Sequence, residues 1–135
     1  MAKVNVTAAA VAVLYPQKAQ IFDRIAAEQV APGDTVYLNT NGKAAKANAG
    51  AAGTLAQTAT VLTPARAGQG VSVLKSGHVA GFDVSGLAYG AALYASNTAG
   101  EVADAAGTVS KVIGHVEAVA VTDGPQKVVY VEHTW

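Results

Sequence analysis

From Gly33 onward the chain breaks into short apolar-rich runs separated by turn residues. Thr35-Val36-Tyr37-Leu38 is the first of these, and Asn41-Gly42 behind it is the strongest short hairpin signal in the sequence. Residues 58–63, 70–75, 78–84, 91–95, 111–121 and 127–132 are further strand candidates, rich in Val, Thr and Tyr. Ala67-Gly68-Gln69-Gly70, Ser76-Gly77, Ser85-Gly86 and Asp123-Gly124-Pro125 read as turns. Strands this short at this spacing predict an all-β fold, a small β-barrel or sandwich. The alanine-rich stretches 44–52 and 99–106 lack an apolar stripe and read as loops with at most a helical turn.

Ahead of Gly33 the pattern changes. Val4 and Val6, then Val11, Val13 and Tyr15, alternate with smaller or polar residues, and Pro16 closes the run. Residues 1–16 therefore predict an extended N-terminal arm, with little bulk at Thr7-Ala8-Ala9-Ala10 to fix it in a core. Such a terminus is loose until something binds it, and deleting residues 1–15 is expected to leave the β-rich domain, residues 17–135, folded. Residues 17–30 read two ways. Ile21, Phe22, Ile25 and Ala26 fit helical spacing, Ile21, Asp23 and Ile25 fit one face of a strand, and local propensity leans to helix.

One echo runs through the sequence. Gly33 to Leu38 followed by Gly42-Lys43 resembles Gly90 to Ala95 followed by Gly100-Glu101. Each is trailed by an alanine-rich stretch, a Gly-Thr pair (Gly53-Thr54, Gly107-Thr108) and two more strand candidates. An internal duplication of a β-unit is one reading and a pair of unrelated hairpins the other; two copies are too few for a solenoid.

The composition narrows the function classes. Of the 135 residues, nine are Lys or Arg and nine Asp or Glu, so the net charge is zero. That argues against nucleic-acid binding through phosphates and against a polybasic membrane contact. No apolar stretch approaches the ~20 residues that span a bilayer, and the start of the chain does not read as a secretory signal. Cysteine is absent, which excludes disulfides and thiolate chemistry. Charged residues are 13% where about 25% is usual, and the 51% hydrophobic content is mostly Ala and Val. A surface so poor in charge favours association, as in an oligomer or a coat component.

Catalytic constellations do not assemble. Asp83-Val84-Ser85-Gly86 lacks the leading glycine of a nucleophile elbow. His115 and Glu117 would share a strand face, and His78 or His133 would have to complete a metal site; no spacing supports one, so surface or interface histidines are expected. The acids lie mostly beside turns, as solvated residues do. Ala67-Gly68-Gln69-Gly70 has no Lys-Ser/Thr pair and is not a phosphate cradle. Tyr37, Tyr94 and Tyr130 read as half-buried strand residues. Trp135 is either pinned into a groove or frayed, and aromatic anchoring favours the groove. No catalytic residue, metal or cofactor is therefore expected.

The stretch Ala27-Glu28-Gln29-Val30-Ala31-Pro32-Gly33-Asp34-Thr35-Val36-Tyr37-Leu38, followed by Asn41-Gly42-Lys43, resembles a signature of the capsid decoration (cement) proteins of tailed bacteriophages. Ala67-Gly68-Gln69-Gly70-Val71-Ser72-Val73, Gly90 to Tyr94 and Ile113-Gly114-His115-Val116 are similar to later strands of that family. The likeness covers about residues 25–132.

The resemblance implies a β-barrel-like or sandwich domain, a homotrimer, made in the host cytoplasm and seated on the outer surface of the mature head, where it bridges major capsid protein subunits without catalysis. It also favours a strand for residues 17–30. In that role an arm would add a strand to a capsid-subunit sheet edge, and trimer symmetry would make attachment multivalent. The expected capsid or subunit contacts are Val4, Val6, Val11, Val13, Tyr15 and Trp135. The alternative is a virion-displayed β-barrel adhesion or carbohydrate-binding module, supported by Trp135 and the tyrosines.

Overall fold

A computed structural model describes residues 3–121 and 124–135. Within them the chain is all-β. Its strands are β1 (Lys3–Val4), β2 (Ala12–Leu14), β3 (Gln20–Ala26), β4 (Thr35–Leu38), β5 (Lys43–Lys46), β6 (Ala59–Val61), β7 (Gly70–Ala80), β8 (Ala92–Ala95), β9 (Val102–Ala103), β10 (Val112–Val121) and β11 (Gly124–Glu132). All belong to one mixed sheet. The helical content of the described residues is three short 3-10 turns, at Ala8–Ala10, Pro16–Lys18 and Ala52–Thr54.

Five strands close on themselves. β3 pairs with β5 in parallel, and β5–β4, β4–β6, β6–β7 and β7–β3 are antiparallel, which completes a ring. Ring diameter grows with strand number, so a ring of only five strands leaves room for small side chains alone. The buried cluster drawn from these strands obeys that limit: Ala26, Val36, Ala44, Ala59, Val61, Val71 and Val73, with Val30 and Ala65 joined by a bridge beside them. The Ala/Val bias of the composition is thus a packing requirement here.

The larger residues fill a second cluster, where Leu74, Leu93 and Ile113 are fully buried among Val79, Val102, Val116, Val129 and Val131. It is built on β8, β9, β10 and β11, and β7 links it to the ring through β11. The order of pairing repeats between the halves. β5–β4–β6–β7 runs side by side in one, β9–β8–β10–β11 in the other, and every contact within both runs is antiparallel. Gly33 and Gly90, which open the echoed segments, both hold left-handed backbone, at φ 93° and 83°. The pairing therefore repeats in the same order as the sequence echo.

Several local expectations are corrected. Within residues 17–30 the strand that the resemblance implies is present and the helix that propensity favours is not: Gln20–Ile25 pairs with β7, and non-local pairing overrides helix propensity. Ser76-Gly77 is not a turn. β7 runs unbroken through it, because Gly77 at φ 148° lets the strand pass within 2.9 Å of the Ala19 side chain, measured from where a Cβ would stand. The alanine-rich stretches 44–52 and 99–106 contribute strands, β5 and β9. The expected turn at Asp123-Gly124-Pro125 falls partly outside the described residues; Gly124 and Pro125 already belong to β11.

Residues 3–14 do not hang free as an arm. β1 pairs with β9, Val6 bridges Phe82, and β2 pairs with the end of β7. Two glycines admit this segment. A Cβ on Gly33 would stand 2.3 Å from Val6 Cγ1, and one on Gly81 would stand 2.8 Å from the backbone of Val11. Thr7 N–H donates to the Gly81 carbonyl and Asp83 N–H to the Asn5 carbonyl, so main chain as well as side chain holds the segment down.

Candidate functional site

The expected contact residues separate into two groups. Val4 is 4% exposed and belongs to the second core cluster. Val11 and Val13 pack against that cluster, and Val6 lies against Gly33. Val4 is thus buried, and Val6, Val11 and Val13 are half-buried against the protein's own residues. Tyr15 and Trp135 remain on the surface, each a little under half exposed. Tyr15 meets the His78 ring edge-on, and His78 in turn lies against Tyr130. Tyr130 is directly opposite His115 on β10, so the row runs across three strands.

His133 anchors the end of the chain. Its Nδ1 is 2.9 Å from Thr58 Oγ1 and its Nε2 is 2.9 Å from Thr60 Oγ1, with all three residues buried. A neutral imidazole has one N–H donor and one acceptor, and the rotating hydroxyls complement both. Burial, helped by the positive charges of Lys111 and Arg24, pushes the imidazole down to about 3, so it is uncharged near neutrality. A surface or interface role for His133 is therefore corrected. His115 is exposed on β10, His78 lies two strands away from it, and no group of three or more metal-ligating side chains converges among the described residues.

Beyond His133 the chain turns onto the ring. Trp135 Nε1 donates to the Thr58 carbonyl at 2.8 Å, and Lys111 Nζ donates to the Thr134 carbonyl at 2.9 Å. The indole lies against Phe22, with centroids 5.2 Å apart, while Arg24 and Lys75 place their charged groups 5.2 Å and 4.6 Å from its centroid. Trp135 is thus pinned in a groove, as the sequence predicts, and the groove belongs to its own chain.

That groove continues into a row of exposed apolar residues. Ile21, Phe22 and Ile25 of β3 are each 43–44% exposed. β3 pairs with β7 through Gln20–Ile25 but with β5 only at Ile25 and Ala26. Beyond those two residues β3 and the β4–β5 hairpin part, and a cleft of about 470 Å³ opens between them, its lining including Phe22, Asp23, Arg24, Leu38, Gln57 and Trp135. Ala26 N–H bonds across to Gln69, on the β7 side, and Ala27 N–H bonds to Ala44, on the β5 side. By strand alternation the N–H and C=O of Ile21 and Asp23 then point away from β7, along an edge with no strand beside it among the described residues.

Sequence reasoning missed this edge as a site. Its signal was present: Ile21, Phe22 and Ile25 put large apolar residues on both faces of one strand, a pattern suited to burial on both sides.

No family model, curated protein or solved structure matches this chain.

Proposed function

We propose that the protein is a structural virion component, a capsid decoration (cement) protein that binds the outer surface of the mature head of a tailed phage and bridges major capsid subunits. The observation that carries this reading is the open edge of β3, where Ile21, Phe22, Ile25 and Trp135 stand exposed beside unpaired main chain. Native sheets ordinarily blunt such an edge with charge, a proline or a covering segment. This edge keeps exposed Ile21, Phe22 and Ile25 around Asp23 and Arg24, and its open main chain is suited to receiving a strand from a partner. The motif likeness to decoration proteins supplies the identity of that partner, the major capsid protein. The scarcity of charge suits a dry contact that tolerates salt.

In this reading the work is mechanical. The protein turns nothing over and carries no cofactor. Copies arranged as a homotrimer about a local symmetry axis tie adjacent subunits together, and three modest contacts act as one strong attachment. Residues 3–14 pack into the protein's own fold, so the β3 edge and Trp135 are the capsid contacts this reading puts first.

Co-sedimentation with purified mature heads tests the proposal. Saturable binding to expanded heads and none to unexpanded precursors is expected; a protein that stays in the supernatant at all head concentrations would refute it. The exposed Phe22–Trp135 pair also suits a virion-displayed carbohydrate-binding module. Lys75 Nζ, 4.6 Å from the indole centroid, stands where a stacked sugar would sit. A glycan array with no binder removes that reading.

A further inference from the structure

The cleft beside β3 has a chemistry more specific than apolar exposure. Residues opposite one another in a sheet share a face. Phe22 and Arg24 lie opposite Val73 and Val71, both buried in the ring cluster, so their side chains turn toward the ring mouth. There Arg24 Nη1 is buried and has no hydrogen-bond acceptor. Burial lowers the Arg24 pKa, but a guanidinium remains charged throughout the accessible range. Lys75 is close by on the same indole. Among the described residues the single ion pair within 4 Å is Lys3–Glu101, far along the chain from this site. Asp23 also lines the cleft, but it lies more than 4 Å from the Arg24 guanidinium nitrogens and its Oδ1 accepts from Ser72 Oγ. The site thus offers an unpaired main-chain edge, an apolar wall and a guanidinium nitrogen without an acceptor within one cleft.

We infer that the occupant of this cleft is an extended segment of another protein that adds to the β3 edge at Ile21 and Asp23 and points one carboxylate side chain at Arg24. The inference rests on the capsid-binding reading and gives the chemistry of the capsid segment: a strand with apolar residues flanking an Asp or Glu. Main-chain pairing supplies affinity, and the unpartnered Nη1 of half-buried Arg24 selects the acid. A lysine at the same position would meet Arg24 and Lys75 at close range, which is the repulsion that makes an interface selective.

The test has a peptide arm and a head arm. The probes are three nine-residue peptides of alternating valine and threonine: one with a central glutamate, one with a central lysine, and the glutamate peptide N-methylated at alternate amides. The chain has one tryptophan, at the cleft, so Trp135 fluorescence reports occupancy directly. The glutamate peptide should bind, the lysine and N-methylated peptides should bind at least about tenfold more weakly, and Arg24→Gln should erase the preference for glutamate over lysine. Asp23→Pro removes an edge N–H that bonds to no neighbouring strand, a substitution edge strands tolerate. It should abolish binding while leaving the thermal unfolding transition cooperative. Equal binding of glutamate and lysine peptides, or full binding of the N-methylated one, overturns the inference. So does self-association through this edge with no peptide bound.

In the head arm, Arg24→Gln should reduce co-sedimentation with mature heads at least about tenfold. Wild-type attachment with an unaffected Arg24→Gln variant overturns the acidic-strand inference and leaves the capsid role standing. Acid-selective peptide binding without any attachment to heads does the reverse.

Discussion

His133 Nε2 lies 2.9 Å from Thr60 Oγ1, deep under the ring, and its other nitrogen is equally close to Thr58. The unfolded chain takes up a proton at this residue below about pH 6.5, whereas the folded one resists protonation down to about 3. The stability this difference contributes is complete at pH 7 and is lost as pH falls through that window. Between pH 7 and 5 the loss from this one group is about 2 kcal/mol. Urea unfolding of the wild type and His133→Asn at both pH values measures it. The variant should be weaker at pH 7 and have the flatter pH dependence; parallel curves would contradict the assignment.

Val4 sits at the start of the chain and yet is buried against the β8–β9 hairpin. Val4→Ala removes two buried methyl-sized groups and leaves a cavity, so a loss of about 2 kcal/mol is expected in chemical denaturation. Deleting residues 1–15 should lower the thermal midpoint sharply. An unchanged midpoint would restore the free arm that the alternation of valines predicts.

Gly81 faces the Val11 backbone at φ 101°, where a methyl group has no room. Gly81→Ala should destabilise the protein by more than ~1 kcal/mol and speed amide exchange at Thr7, whose N–H bonds to Gly81. Gly86→Ala is the control. Nothing lies within 4 Å of its added Cβ, and its stability should stay within about 0.5 kcal/mol of wild type.

Trp135→Phe keeps the aromatic contact with Phe22 and removes the donor to the Thr58 carbonyl. The expected cost is about 1 kcal/mol in unfolding free energy. If the residue were frayed, the substitution would be silent in stability.

The parts of this fold legible in the sequence are those written locally. Gly33, Gly42, Gly90 and Gly100 punctuate the strands, and the echo between the halves reappears as a repeated order of pairing. Non-local pairing was not legible. β3 looks helical by propensity and becomes a strand because β7, some fifty residues on, pairs with it. His133 finds Thr60 and Thr58 across 73 and 75 residues, and no spacing rule anticipates that. For the candidate site, Trp135 was recognisable as a lone aromatic, but Phe22 and Arg24 acquire their meaning only where β3 leaves β5.

A decoration protein that works as proposed turns its β3 edge to the viral shell. Cryo-electron microscopy of mature heads incubated with the protein tests it most directly. The account predicts ordered density on the outer surface, with Ile21–Arg24 and Trp135 turned toward the capsid subunits. Bare heads, or copies attached with that edge facing solvent, would contradict it.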